Sequence, residues 1–190
     1  MTLIHIVDDD DAVRDSLAFL IGSRGHQTRQ HDCAEAFLSL PPEERHGVIV
    51  LDIRMDGMSG IEMFYEMKKT PPAPIVIFLT GHGDVPLAVE AVKAGAFDFR
   101  EKPFEDGAFL DVVERAIEAL DAGKGISDRL GSLTNRERDV MELLLADLPN
   151  KAIAHRLGIT VRTVEVHRAR VLEKMQVRTV VALARSLKPV

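Results

Sequence analysis

The stretch GVIVLDIRMDGMSG, residues 47–60, constrains the chain most. Branched apolar residues run unbroken into Asp52, the pattern of a strand buried on both faces. A carboxylate at the end of such a strand is costly unless a cation or metal meets it. Other predicted strands supply partners: LIHIV at 3–7 ends in four acids, Asp8 to Asp11, PIVIFL at 74–79 ends in Thr80, and FDFREKP at 97–103 ends in Lys102 and Pro103. Parallel strands joined by helices bring their carboxyl ends to one edge of a sheet, so these groups are expected to meet.

Their chemistry is that of phosphoryl transfer. A hard cation such as Mg2+ takes oxygen ligands and keeps several waters, so one or two carboxylates from residues 8–9 together with Asp52 would hold it. Asp52 can then act as an oxygen nucleophile toward phosphorus, with Thr80 and Lys102 bonding and neutralising the phosphoryl oxygens. Asp10 and Asp11 read more simply as acids at the amino end of the next helix.

Helical spacing follows each strand. AVRDSLAFLIGSRG stops at Gly25, AEAFLSL stops at Pro41 and Pro42, IEMFYEMKK stops before Pro71 and Pro72, and VPLAVEAVKAGA and DGAFLDVVERAIEALDAG follow. Residues 26–31 form a short polar strand suited to a sheet edge. Five strand-helix alternations predict an α/β domain over residues 1–121, with a flavodoxin-like, doubly wound, five-stranded parallel sheet in the order 2-1-3-4-5. Gly123, Gly125 and Gly131 fall in a polar stretch, 122–132, where the helical pattern lapses, and this reads as a linker. Residues 133–190 show no strand signal and predict a small all-α domain of four helices. Thr134 and Glu137 form a capping box for the first, which runs to about Ala146; the others cover Lys151–Leu157, Val161 to about Met175, and Thr179–Leu187.

The net charge of −6 conceals an asymmetry: residues 1–130 hold 13 Lys/Arg against 24 Asp/Glu, or −11, and residues 131–190 hold 11 against 6, or +5. An acidic first part suits metal and phosphate chemistry, and a basic second part suits a polyanion. Cys33 is the only cysteine, so no internal disulfide can form. The apolar runs are too short to span a bilayer, and no basic-then-apolar leader precedes the first strand, which predicts a cytoplasmic protein without a membrane partner.

NKAIAHRLGITVRTVEVHRARVLEKM has the layout of a helix-turn-helix, with its turn at Gly158, Ile159 and Thr160. Projection of the longer helix at about 100° per residue puts Val164, Val171, Leu172 and Met175 on one stripe and turns Arg162, Glu165, Val166, Ala169 and Glu173 away from it. Val166 and Ala169 can approach thymine methyls of double-stranded DNA, and Glu165 can accept from cytosine. Lys151, Arg162, Thr163, His167 and Arg170 suit phosphates, which set register without reading sequence. Arg168 falls nearer the inward stripe.

Together, the acids at 8–9, Asp52, Thr80 and Lys102–Pro103 resemble the receiver domain of bacterial two-component response regulators. LTNRERDV, NKAIAHRLGI and RTVEVHRARVLEKM resemble the LuxR-type DNA-binding domain, so the whole chain is similar to transcriptional regulators of the FixJ/NarL type. The resemblance implies that Asp52 is phosphorylated by a sensor histidine kinase. It further implies that Asp8, Asp9, Asp52 and the main-chain carbonyl of Arg54 hold Mg2+, that Thr80 and Lys102 sense the phosphoryl group, and that Phe99 is an aromatic switch. Promoter DNA, and RNA polymerase beside it, are the partners of such regulators. One departure is visible: Asp56 stands where the family usually has Pro, which removes a rigid residue from that loop.

In VPLAVEAVKAGA only Glu90 and Lys93 are charged, and Val85, Leu87, Ala88, Val89, Ala91 and Val92 cover an arc of about 200°, wider than one sheet contact needs. The excess surface is expected either to be covered by a neighbouring element or to form a homodimer through residues 84–105 on phosphorylation. Two other functions compete with a phosphorylation-switched transcription factor. A phosphatase turning over an aspartyl-phosphate would need a general acid beside its nucleophile, and Arg54, two residues on, cannot donate a proton at neutral pH. A pure protein-interaction module would lack salt-sensitive DNA binding.

Overall fold

The computed structural model describes residues 2–70, 74–81 and 84–187, and of Val85 the backbone alone. The apolar run at 48–52 forms the middle strand of a five-stranded sheet. Its strands are β1 (Leu3–Val7), β2 (Gln27–His31), β3 (Val48–Asp52), β4 (Ile75–Thr80) and β5 (Asp98–Glu101), all parallel and in the order β2-β1-β3-β4-β5 that the alternating pattern predicts. Polar β2 lies at an edge.

Alternation along β3 sorts the core into two layers. Val48 and Val50 join Leu17 and Ile21 of α1 (Asp11–Gly22) and Phe109, Val112, Val113 and Ala116 of α5 (Asp106–Gly131). Ile49 and Leu51 join Phe37 of α2 (Ala34–Leu38), Met63, Phe64 and Met67 of α3 (Gly60–Lys68), and Ala88 and Ala91 of α4 (Val85–Lys93). Each fully buried aliphatic side chain contributes roughly 1.5–3 kcal/mol, so both faces of the sheet resist slippage and hold its carboxyl edge in place. Pro71 and Pro72, expected to follow α3, lie outside the described residues.

The chain divides into two compact units, Met1–Leu120 and Asp121–Val190. The expected lapse of helix at 122–132 does not occur: α5 continues without a break to Gly131. Local glycine content misleads here because Ile126 and Leu130 lie within the second unit and pack there against Leu133, Met141, Val171 and Met175, and that burial outweighs the helix penalty of the glycines.

The second unit is helical among the described residues: α6 (Asn135–Leu145), α7 (Asn150–Leu157), α8 (Val161–Lys174) and α9 (Val180–Ser186). The capping box at Thr134 forms as expected, and Glu137 also accepts from the Lys174 ammonium at 2.7 Å. That bond and the Thr134 amide hold the carboxyl well below its usual range, at about 2. No helix among the described residues is long and apolar enough to cross a membrane.

Candidate functional site

Strand register places the polar groups in one row. Val7 pairs with Leu51, and Asp52 with Leu79, so Asp8, Asp52 and Thr80 lie at neighbouring strand ends. Lys102 arrives after β5, where its backbone N–H donates to the Thr80 carbonyl at 2.7 Å. Its ammonium donates to Asp8 Oδ2 at 2.8 Å and to Asp52 Oδ1 at 2.6 Å. Three of the expected residues are thus bonded directly to one another.

Both carboxylates are buried, Asp8 at 1% exposure and Asp52 at 7%. Burial pushes the Asp52 carboxyl above the usual carboxylate value, against the lowering effect of Lys102. For Lys102 burial acts downward, and its bonds to Asp52 and Asp8 outweigh it, which keeps the ammonium charged. One ammonium thus holds two buried acids.

The loop after β3 is fixed by alternate amides. The N–H of Arg54 donates to Asp52 Oδ2 at 2.7 Å, that of Asp56 to Asp9 Oδ2 at 2.9 Å, and that of Met58 to Glu35 Oε1 at 3.3 Å. A proline at 56 could not make the second bond, so the residue that departs from the family pattern ties the loop to Asp9. At the end of the loop a Cβ on Gly60 would stand 2.0 Å from the Asp52 carbonyl oxygen, so only glycine lets α3 start this close to β3.

The carboxylates expected at the metal site are Asp8 and Asp52, both bonded to the Lys102 ammonium, and Asp9, bonded to the Asp56 amide. Among the described residues no three His, Cys, Asp or Glu side chains converge as a metal cluster. Mg2+ retains several waters and needs only one or two carboxylates, so this donor set suits it.

Sequence reading missed two contacts. Asp84, just ahead of α4, looks like a helix cap, yet its side chain makes no capping bond. Instead the Arg54 guanidinium grips it, with Nε to Oδ1 at 2.7 Å, Nε to Oδ2 at 2.9 Å and Nη2 to Oδ1 at 2.6 Å. The Asp9–Asp56 bond also escaped notice, because neither contact has a local signature. Asp10 does cap α1, accepting from Ala12 and Val13, and Cys33 Sγ accepts the Ala36 N–H at the start of α2.

The Thr80 hydroxyl is buried and donates to the Gly81 carbonyl at 3.1 Å rather than to an acid of the pocket. Phe99 is half-buried beside the core layer that holds α4. On α4, Ala88 and Ala91 face inward while Leu87, Val89 and Val92 remain 44%, 38% and 37% exposed, an apolar surface along one helix. The side chain of Val85, also expected there, lies outside the described residues.

In the second unit Gly158 takes the left-handed conformation, φ 65°, that turns α7 into α8. Lys151, Arg162, Glu165, Val166, Ala169 and Arg170 are exposed, while Val164 and Val171 are buried. Two expected phosphate contacts are less free. Thr163 shares a hydrogen bond with Thr160 at 2.8 Å, and His167 is half-buried with its Nδ1 shielded from solvent. Arg168 is half-buried, in keeping with its place near the inward stripe.

With this geometry in view, residues 4–114 match the response regulator receiver domain and residues 131–187 match the bacterial regulatory proteins of the luxR family. The chain is 48% identical over 189 residues to the transcriptional regulatory protein FixJ of Rhizobium meliloti, covering 96% of this chain and 93% of that one. It is 49% identical to the C4-dicarboxylate transport transcriptional regulatory protein DctR of Rhodobacter capsulatus, covering 96% of this chain and 97% of the relative. Among solved structures, full-length FixJ from B. japonicum superposes with a TM-score of 0.57 at 44% identity, over 97% of this chain and 95% of that one.

Proposed function

This chain belongs to the two-component response regulators, those that join a receiver domain to a LuxR-type DNA-binding domain to regulate transcription, and on that premise we propose that Asp52 accepts a phosphoryl group from a sensor histidine kinase. The observation that carries this is the Lys102 ammonium bonded to both Asp8 and Asp52 at the strand ends. Asp52 attacks the phosphorus of the kinase phosphohistidine, the donor P–N bond breaks, and an acyl phosphate forms. Asp8, Asp9, Asp52 and the Arg54 carbonyl would hold Mg2+, which would offset charge on the phosphoryl oxygens. The Lys102 ammonium then pairs with a phosphoryl oxygen, and the Thr80 hydroxyl leaves the Gly81 carbonyl for another.

Phe99 turns into the space that Thr80 vacates, and the surface over residues 84–105 pairs with a second copy through Leu87, Val89 and Val92. A homodimer sets two α8 helices on DNA half-sites and raises affinity through effective concentration. Glu165, Val166 and Ala169 read bases. Lys151, Arg162 and Arg170 meet phosphates, with Thr163 and His167 at the margin of that surface. The protein acts on promoter DNA in the cytoplasm, with RNA polymerase as a neighbour there. Its activity is regulation rather than turnover of a substrate.

The test is Asp52→Asn. The amide keeps the shape but is not a competent nucleophile, so treatment with a small phosphoryl donor and Mg2+ should leave no base- and hydroxylamine-labile label on a folded protein. Undiminished labelling of the variant would overturn the assignment.

A further inference from the structure

We infer that the Arg54–Asp84 ion pair is the latch that couples the phosphoryl site to α4, with Arg54 as a positioning residue that answers to charge on Asp52. Arg54 touches both ends of the path. Its backbone N–H donates to Asp52 Oδ2 at 2.7 Å, and its guanidinium makes three contacts to Asp84 between 2.6 and 2.9 Å. The pair is asymmetric: the Arg54 side chain is 75% exposed, whereas that of Asp84 is 2% exposed. The guanidinium is therefore a solvent-facing cover over a buried carboxylate and can leave, while the carboxylate cannot follow it into water.

Asp84 has a second use that the pair prevents. It stands at the N-cap of α4, the position where aspartate is among the favoured residues. An N-cap residue ordinarily adopts an extended backbone; Asp84 is instead at φ −96°, ψ −1°, and its side chain leaves the helix amides uncapped. The first turn of α4 is thus held short of its favoured start by a carboxylate committed elsewhere. A phosphoryl group on Asp52 replaces the single negative charge of the carboxylate with about 1.5–2, two residues from Arg54, and competes with Asp84 for the guanidinium. Once released, the Asp84 carboxylate can cap α4 through the Leu87 N–H at N3, since Pro86 at N2 has no N–H to donate. Capping then changes the backbone at 84 and turns the first part of α4, which carries the exposed Leu87 and Val89.

This rests on the reading of Asp52 as phosphoacceptor and of α4 as a dimer surface, and the experiment separates the three. Asp84→Asn retains the side-chain shape and capping ability but removes the charge that holds Arg54. Full-length wild type, Asp84→Asn and Arg54→Gln are compared by analytical ultracentrifugation, without phosphate and with phosphoramidate and Mg2+, and by hydrogen exchange at the amides of residues 87–89. Without phosphate, both variants should dimerise about tenfold more tightly than wild type, and exchange at residues 87–89 should differ from that of the unphosphorylated wild type. Either variant folding well and showing both changes supports the latch. Wild-type dimerisation and exchange values retained without phosphate in both variants would overturn it. If wild type fails to dimerise on phosphorylation, the dimer reading falls, and altered exchange in the variants still supports the latch. If wild type takes up no label, the Asp52 reading falls, while the same exchange comparison continues to decide the latch.

Discussion

Replacing Lys102 with alanine removes the single ammonium shared by Asp8 and Asp52, which are 1% and 7% exposed. Removing one partner of a buried ion pair costs about 3–5 kcal/mol. Because the Lys102 side chain is 29% exposed, the lower end applies, about 3 kcal/mol in the absence of divalent cation. Two consequences distinguish this account from a generic packing defect. A cation that occupies the same pocket should restore stability. At one hundred times its dissociation constant a ligand stabilises the folded state by about 2.7 kcal/mol, and in Lys102→Ala the increment should exceed that of wild type because the cation also replaces the missing ammonium. Lowering the pH should help as well. The Asp52 carboxyl is raised above its ordinary value near 3.8, so its unfavourable contribution is fully present above the folded pKa and disappears as pH falls to the unfolded one. Urea unfolding of the first unit, followed by far-ultraviolet circular dichroism with and without Mg2+ at pH 7 and pH 5, reads all of this. A loss below 1 kcal/mol, or an Mg2+ increment no larger than in wild type, would refute the reasoning.

The DNA-binding surface and the second core admit independent checks. Arg162→Ala should weaken binding to all sequences and reduce the slope of log affinity against log salt by about 1, whereas Glu165→Gln should reorder the preferred sites; competition assays on a randomised library separate the two effects. If Glu165→Gln leaves the ranking unchanged, the base-reading face lies elsewhere on α8. Glu137→Gln should destabilise the second unit by about 1.5–3 kcal/mol at pH 7, since the carboxylate bonds both Lys174 and the Thr134 amide. The depressed pKa makes that contribution fully present above about 4.5 and lost as pH falls toward about 2, so thermal unfolding of variant and wild type should converge in acid.

Much of this was written locally. Short apolar runs mark the central strands and a 3.6-residue period marks their helices, and the charged or hydroxylated residue at the strand ends marks the edge where chemistry gathers, because a parallel α/β chain has only one such edge. The capping box at Thr134 and the Gly158 turn are decided within four residues. Long-range contact decides the rest. Whether α5 ends near Gly123 or runs on to Gly131 depends on what Ile126 and Leu130 can bury against, and those partners come from residues 133–175. Asp84 stands at the N-cap position of α4 and is held by Arg54, thirty positions earlier, because a buried carboxylate gains from a charged guanidinium more than from a neutral amide. The same holds for the Asp56 amide that ties the loop to Asp9. Periodicity encodes which face a residue shows; only the folded backbone sets which distant partner stands opposite it.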